Sequence, residues 1–274
     1  MRVLVTGGSS GIGRAVVQRL AEGGHTVFAA SRRPTRSPLP DHVSPVEIDV
    51  ASARSCAAAI DEVVRVAGGL DALVNNAGTH GAGPIEETGD DEAHRIFEVN
   101  FFGPLRLARL AVPVLRDGGG GRIVNVTSMN DTMAAPFGGY YSASKAALAS
   151  ASAVLGAEVA PFGIAVSVVA PGLFRTEMAE SLGQRAVDPD SHYRAALDAQ
   201  RAGEPGRLQT AGDPDVVAQA VEACLTGAEP PARIVVGADA EGFERLVREA
   251  TSEEYAAMLR DYVAQLIAAG EGDG

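Results

Sequence analysis

The 274-residue chain has one lysine, Lys145, among its 23 lysines and arginines. A chain that otherwise relies on arginine has kept, at one position, a compact amine whose pKa burial can tune, a property a guanidinium lacks. Cysteine is nearly as scarce: Cys56 and Cys224 lie in alanine-rich segments, where a thiol acts as a small buried hydrophobe, and no disulfide framework follows. Basic residues are outnumbered, 23 against 35 acidic ones, for a net charge of −12. No basic face is therefore expected, which sets aside nucleic acid and membrane as partners. The histidines, His25, His42, His80, His94 and His192, show no ligand spacing, and no metal is expected. No apolar run is long enough to span a bilayer. MRVLVTGG runs straight into a strand, leaving no room for a signal peptide, and a cytoplasmic protein is expected.

Hydrophobic residues make up 46 % of the chain, enough for a full core, and no linker-like stretch divides residues 1–274. Short β-branched or apolar runs predict strands near 2–6, 26–31, 44–48, 70–75, 122–127, 163–169 and 233–236. Helical patterns fill the gaps near 12–23, 52–67, 89–116 and 140–160. That alternation predicts a single doubly wound α/β domain, a parallel sheet of about seven strands with helices on both faces. Past Pro171, polar sequence carrying Val187, Tyr193 and Leu197 predicts two short helices and loops up to about Thr210. A segment of that length, about 173–210, reads as a lid, with a solvated connection as the alternative. A helical extension is expected at about 239–268 and a disordered GEGDG tail after it.

TGGSSGIG, Thr6 to Gly13, follows the first strand and opens the first helix, the context in which a glycine pattern gains meaning. Gly7 permits a tight turn, Gly11 lets backbone approach a pyrophosphate, and Gly13 lets the helix pack closely on the sheet. The free N–H groups at that helix end favour a phosphate's negative charge. At the end of the second strand stand Ser31, Arg32 and Arg33 with no carboxylate, which suits a 2′-phosphate and predicts NADP(H) over NAD(H), Arg32 being the better candidate. Asp49 is placed to accept from an adenine amine, or is an ordinary surface acid.

Tyr141 lies four positions before Lys145 in YSASK, so on a helix the two share a face one turn apart. The ammonium is expected to favour the ionised phenol, giving a general acid and base near neutral pH. Tyr140 has Ser144 four positions on, with no charge to activate it, and is expected to pack or line the pocket.

With these residues in hand the chain resembles a classical short-chain dehydrogenase/reductase from Arg2 to about Gly237. The matching pieces are TGGSSGIG, NNAG at Asn75, Asn100 in EVNFFG, NVTS ending at Ser128, YSASK, and PGLFRT from Pro171 to Thr176. The long fifth and sixth helical regions and the ending without a glycine-rich last strand most resemble the branch of 17β-hydroxysteroid dehydrogenase-like enzymes. The resemblance implies a single Rossmann domain and a catalytic tetrad of Asn100, Ser128, Tyr141 and Lys145. Ser128 would polarise a carbonyl, Tyr141 would exchange a proton with the alkoxide, Lys145 would lower the phenol's pKa and touch the nicotinamide ribose, and Asn100 would hold a water through backbone distortion. Cofactor contacts are implied at Gly7, Ser9, Ser10, Gly11, Ile12 and Gly13. More are implied at Ser31, Arg32, Arg33, Asp49 and Val50, and at Asn76, Ala77 and Gly78. Beyond Tyr141 and Lys145 themselves, Pro171 and Gly172 redirect the chain, while the Leu173 backbone and Thr176 hydroxyl face the carboxamide.

A substrate pocket is expected between Ser128, Met129, Asn130, Phe137, Tyr140, Phe174 and Met178. It suits a medium-sized ketone or secondary alcohol, with NADPH-driven reduction as the implied direction. His80, next to NNAG, is a further candidate contact. Two other readings stand: a catalytically silent NADP(H)-binding regulator, and a nucleotide-sugar epimerase or dehydratase, whose larger C-terminal domain the length does not supply. Alanine and serine between Ser142 and Ala160 permit a homodimer contact, or simply packing on the sheet.

Overall fold

The computed structural model describes residues 1–34, 39–40, 42–182 and 187–272. Within them seven strands form one parallel sheet: β1 (Arg2–Thr6), β2 (Thr26–Ser31), β3 (Val43–Glu47), β4 (Ala72–Asn75), β5 (Gly121–Val126), β6 (Ile164–Pro171) and β7 (Arg233–Val236). The order is β3-β2-β1-β4-β5-β6-β7, every pair parallel. The strand order reverses between β1 and β4, and in open α/β sheets the crevice outside the carboxyl ends at that point receives the ligand.

Strand side chains alternate between two cores, as a period of two requires. On one face Val3, Val5 and Val74 pack with Val16, Val17 and Leu20 of α1 (Gly11–Glu22) and Val217 and Val221 of α8 (Pro214–Thr226). On the other, Leu4, Leu73 and Ile123 pack with Ile60 and Val63 of α2 (Ala53–Ala67) and Leu107 and Leu115 of α4 (Gly103–Asp117). Burial of both faces explains why the strands read as continuous apolar runs. α8 contains the alanine-rich segment around Cys224 that reads as helical in the sequence, though its bounds were not expected. Its cap is nonetheless visible there: Asp213 accepts from the Asp215 N–H, and Pro214 fills the first helical position.

The helix expected at 89–116 is three pieces: α3 (Asp90–Phe97), one π turn (Glu98–Phe102) and α4. The lid holds α6 (Glu177–Leu182) and a longer α7 (Arg194–Gln209) rather than two short helices; residues 183–186 lie outside the described residues. The C-terminal extension is two helices, α9 (Ala238–Glu249) and α10 (Ser252–Gly272). α10 covers 270–272, where disorder was expected, because it lies along α7: a Cβ on Gly270 would collide with the Ala195 carbonyl. Residues 273 and 274 of that tail lie outside the described residues. Among the described residues no helix is long and apolar enough to cross a membrane.

Candidate active site

Thr6 ends β1 and ties it to β4: its Oγ1 accepts the Asn76 and Ala77 N–H groups, both at 3.0 Å, while Asn76 Nδ2 donates to the Thr6 carbonyl at 3.0 Å. Asn75 does the same across β4 and β5, donating to Asn125 Oδ1 at 2.8 Å. The chain then turns at Gly7, φ +67°, a left-handed conformation that glycine adopts freely. Gly13 has no room for a Cβ against the Gly7 carbonyl, so the first turn of α1 is pressed onto this bend. Ser10 caps α1 in extended backbone without a side-chain capping bond, and no acid stands in the first turn. The helix therefore presents N–H donors and its positive end to the cleft. Ser31 Oγ, at the end of β2, is a buried hydroxyl with no partner, and exposed Arg32 and Arg33 follow it. A glycine floor, open helix donors and an unpaired hydroxyl fit a dinucleotide.

One cleft of about 1350 Å³ joins this floor to the expected catalytic residues. Gly7, Ser10, Gly11, Ile12 and Gly13 line it, as do Asn76, Ala77, Gly78, Pro171, Gly172 and Thr176. Ser9, Ser31, Arg32, Arg33, Asp49 and Val50 do not. They sit on the β2 and β3 side of the glycine turn, and the Val50 side chain is in the core beside α2. Leu173 lines the cleft, but its N–H is already donated to Asp239 at 2.8 Å and its carbonyl accepts from Gly212. The expected backbone contact with a carboxamide is thus engaged within the protein.

Ser128 follows β5 and caps a 3-10 turn (Met129–Asp131), accepting the Asn130 N–H at 3.2 Å. Tyr141 and Lys145 come from the first turns of α5 (Gly139–Val159). Ser128 stands beside the phenol and favours its ionised form, and Lys145 Nζ donates to the Val126 carbonyl at 3.0 Å, 5.9 Å from the phenol ring centre. Asn100, 0 % exposed, sits in the π turn. It donates to Thr79 O at 2.9 Å and Ser144 Oγ at 3.1 Å and accepts from Thr79 N at 2.8 Å. A Cβ on Gly78 would lie 3.4 Å from Asn100 Oδ1 and 3.6 Å from Lys145 Nζ, so the NNAG loop packs against both.

Burial governs both members of the tyrosine–lysine pair. Burial pushes the Tyr141 phenol up, against the hydrogen bond from Ser128, and the Asp131 carboxylate adds to the rise. Burial also pushes the Lys145 ammonium down to about 8, with Asp131 opposing. Dehydration is the largest influence on the phenol, and the amine below it is itself dry and donates to the Val126 carbonyl. The result is a protonated phenol at neutral pH, a state suited to donating a proton.

Met129, Asn130, Phe137, Phe174 and Met178 line the cleft. Tyr140 does not: it is half-buried on the other side of α5, since adjacent helical residues point about 100° apart. His80 lies in the cleft, stacked on the Tyr141 ring. Sequence reasoning missed Phe243 and Leu246 of α9 and Tyr255, Met258, Leu259 and Tyr262 of α10, which form a wall of the cleft. It also missed Asp131, whose side chain is fully buried on Arg233. Among the described residues no group of three or more potential metal ligands occurs.

The short chain dehydrogenase family model matches residues 1–186. A 3-ketodihydrosphingosine reductase of Bacteroides thetaiotaomicron is 35 % identical over 199 residues, 70 % of this chain and 73 % of that protein. A short-chain dehydrogenase from Streptomyces avermitilis superposes with a TM-score of 0.77 at 33 % identity, covering 95 % of this chain and 94 % of the other. A short chain dehydrogenase from Burkholderia cenocepacia J2315, solved with NADP, gives a TM-score of 0.75 at 30 % identity, covering 94 % and 96 %. Sheet order, glycine turn and the Ser128, Tyr141 and Lys145 cluster agree with that match, and the chain belongs to the classical short-chain dehydrogenases/reductases, oxidoreductases that use a nicotinamide cofactor.

Proposed function

We propose that the protein is an NADP(H)-dependent ketoreductase, and the observation that carries this is that the buried Ser128, Tyr141 and Lys145 line one cleft with the glycine turn. A bound nicotinamide supplies or removes the hydride. Ser128 and Tyr141 hydrogen-bond the substrate carbonyl oxygen, and Tyr141 gives its phenolic proton to the alkoxide as it forms. The Lys145 ammonium stabilises the phenolate left behind. Asn100 is a positioning residue: it pins Ser144, one residue before the lysine, to the Thr79 backbone.

Preference for NADP(H) rests on Arg32 and Arg33 at the end of β2 without a carboxylate, and the NADP complex of the Burkholderia relative supports it. Long lid and C-terminal helices support placement near the 17β-hydroxysteroid dehydrogenase-like branch. A panel of ketones assayed with NADPH and NADH tests the reading. Turnover faster with NADPH is expected; NADPH binding with no turnover of any ketone favours the silent regulator.

A further inference from the structure

Two helices present faces at i, i+3, i+4 and i+7 to the far part of the cleft, and the faces differ in chemistry. α10 offers Tyr255, Met258, Leu259 and Tyr262, while α7 offers Leu197, Gln200, Arg201 and Glu204. Glu204 is 5 % exposed, an unusual setting for a carboxylate. Its Oε1 accepts from Arg207 Nη1 at 2.8 Å, but its Oε2 is buried with no partner. A buried acceptor left unsatisfied is destabilising unless something donates to it. The next residue, Pro205, lies inside the helix and has no N–H, which leaves the carbonyl of Arg201 without its helical donor. Glu204 Oε2 is thus an unpaired acceptor on a cleft wall that faces the largely apolar α10.

We infer that Glu204 sets specificity by taking a hydrogen-bond donor, a hydroxyl or an ammonium, carried by the substrate away from its carbonyl, with the intervening apolar chain lying along α10. This rests on the ketoreductase reading above. The cleft as a whole carries more acids than bases: Glu87, Glu92, Glu177, Asp188, Glu204 and Asp239 line it against Lys145, Arg201 and Arg207. A negatively charged distal group is disfavoured there.

The test is a ladder of methyl ketones of increasing chain length, each as the plain alkyl ketone and as its ω-hydroxy, ω-ammonium and ω-carboxylate forms, reduced with NADPH. At one chain length a donor-bearing ketone should exceed its plain counterpart in kcat/KM by about 10-fold or more, and the carboxylate should fall below it. Glu204→Leu should bring the ratio close to one. Glu204→Gln should keep part of a hydroxyl preference and lose an ammonium preference, which separates the two donors. The wild-type ladder needs no variant, so a misfolded protein does not shield the inference. Plain ketones reduced with no donor preference at any length, or a preference that survives in Glu204→Leu, overturns the role of Glu204 alone. No reduction of any ladder member overturns the ketoreductase reading and this inference with it.

Discussion

The imidazole of His80 stacks on the phenol of Tyr141, ring centres 4.6 Å apart and planes inclined by 27°. The segment that follows NNAG thereby packs a flat ring against the phenol. His80→Phe preserves a flat partner and should keep kcat, whereas His80→Ala should lower kcat/KM by up to about 10-fold, the worth of an aromatic pair of about 0.5–1.5 kcal/mol. Steady-state kinetics on both variants checks this; equal activity in the two would show that the stack does not orient the phenol.

Lys145 loses its proton at about 8 in the folded chain and at an ordinary 10.5 when unfolded. Between those values the unfolded state holds more protons, so stability rises with pH across that window. Tyr141 is shifted the other way, so its contribution is present below its ordinary 10.0 and is lost as pH climbs beyond. Lys145→Met should abolish the rise, about 3 kcal/mol over the full window. Denaturant melts of both proteins at several pH values give the answer, and parallel profiles would contradict it.

Asp131 has a side chain with 0 % exposure, and Arg233 of β7 reaches it through two bonds of 2.7 and 2.8 Å. Thr127 Oγ1 donates to the same carboxylate at 2.6 Å. This pairing anchors the turn that carries Ser128 to the far edge of the sheet. Arg233→Met strands a buried charge and should cost about 3–5 kcal/mol, while Arg233→Met with Asp131→Leu should cost less than the single change. Urea titrations measure both; an additive pair would rule out the coupling.

Arg32 is exposed at the end of β2, one residue past the unpaired Ser31 hydroxyl. Arg32→Glu replaces a phosphate donor with a like charge and should weaken NADPH by about 10-fold or more, with NADH affected far less. Fluorescence titration with each nucleotide measures this, and equal weakening of both would move the discriminating contact elsewhere.

What the chain discloses in one dimension is local. The central strands β1 and β4 were legible because parallel strands buried on both faces are nearly unbroken apolar runs, and the glycine turn because Gly7 and Gly13 each answer a steric demand. The distortion at Asn100 was expected only through the family resemblance, since the contacts that accompany the π turn, with Thr79 and Ser144, lie far away in sequence. Likewise, the pattern Tyr255, Met258, Leu259, Tyr262 announces an apolar helix face without saying that a cleft lies beneath it. Spacing likewise places a lysine near a phenol without saying that both groups are buried, and it is burial that raises the phenol and lowers the amine.

The most direct test of the account is ketone reduction by Tyr141→Phe, with NADPH affinity measured on the same sample. Retained NADPH binding together with a fall in kcat of about 100-fold or more is the expected result, in line with loss of a general acid. Unchanged turnover by that variant would contradict the assignment of Tyr141 as the proton donor.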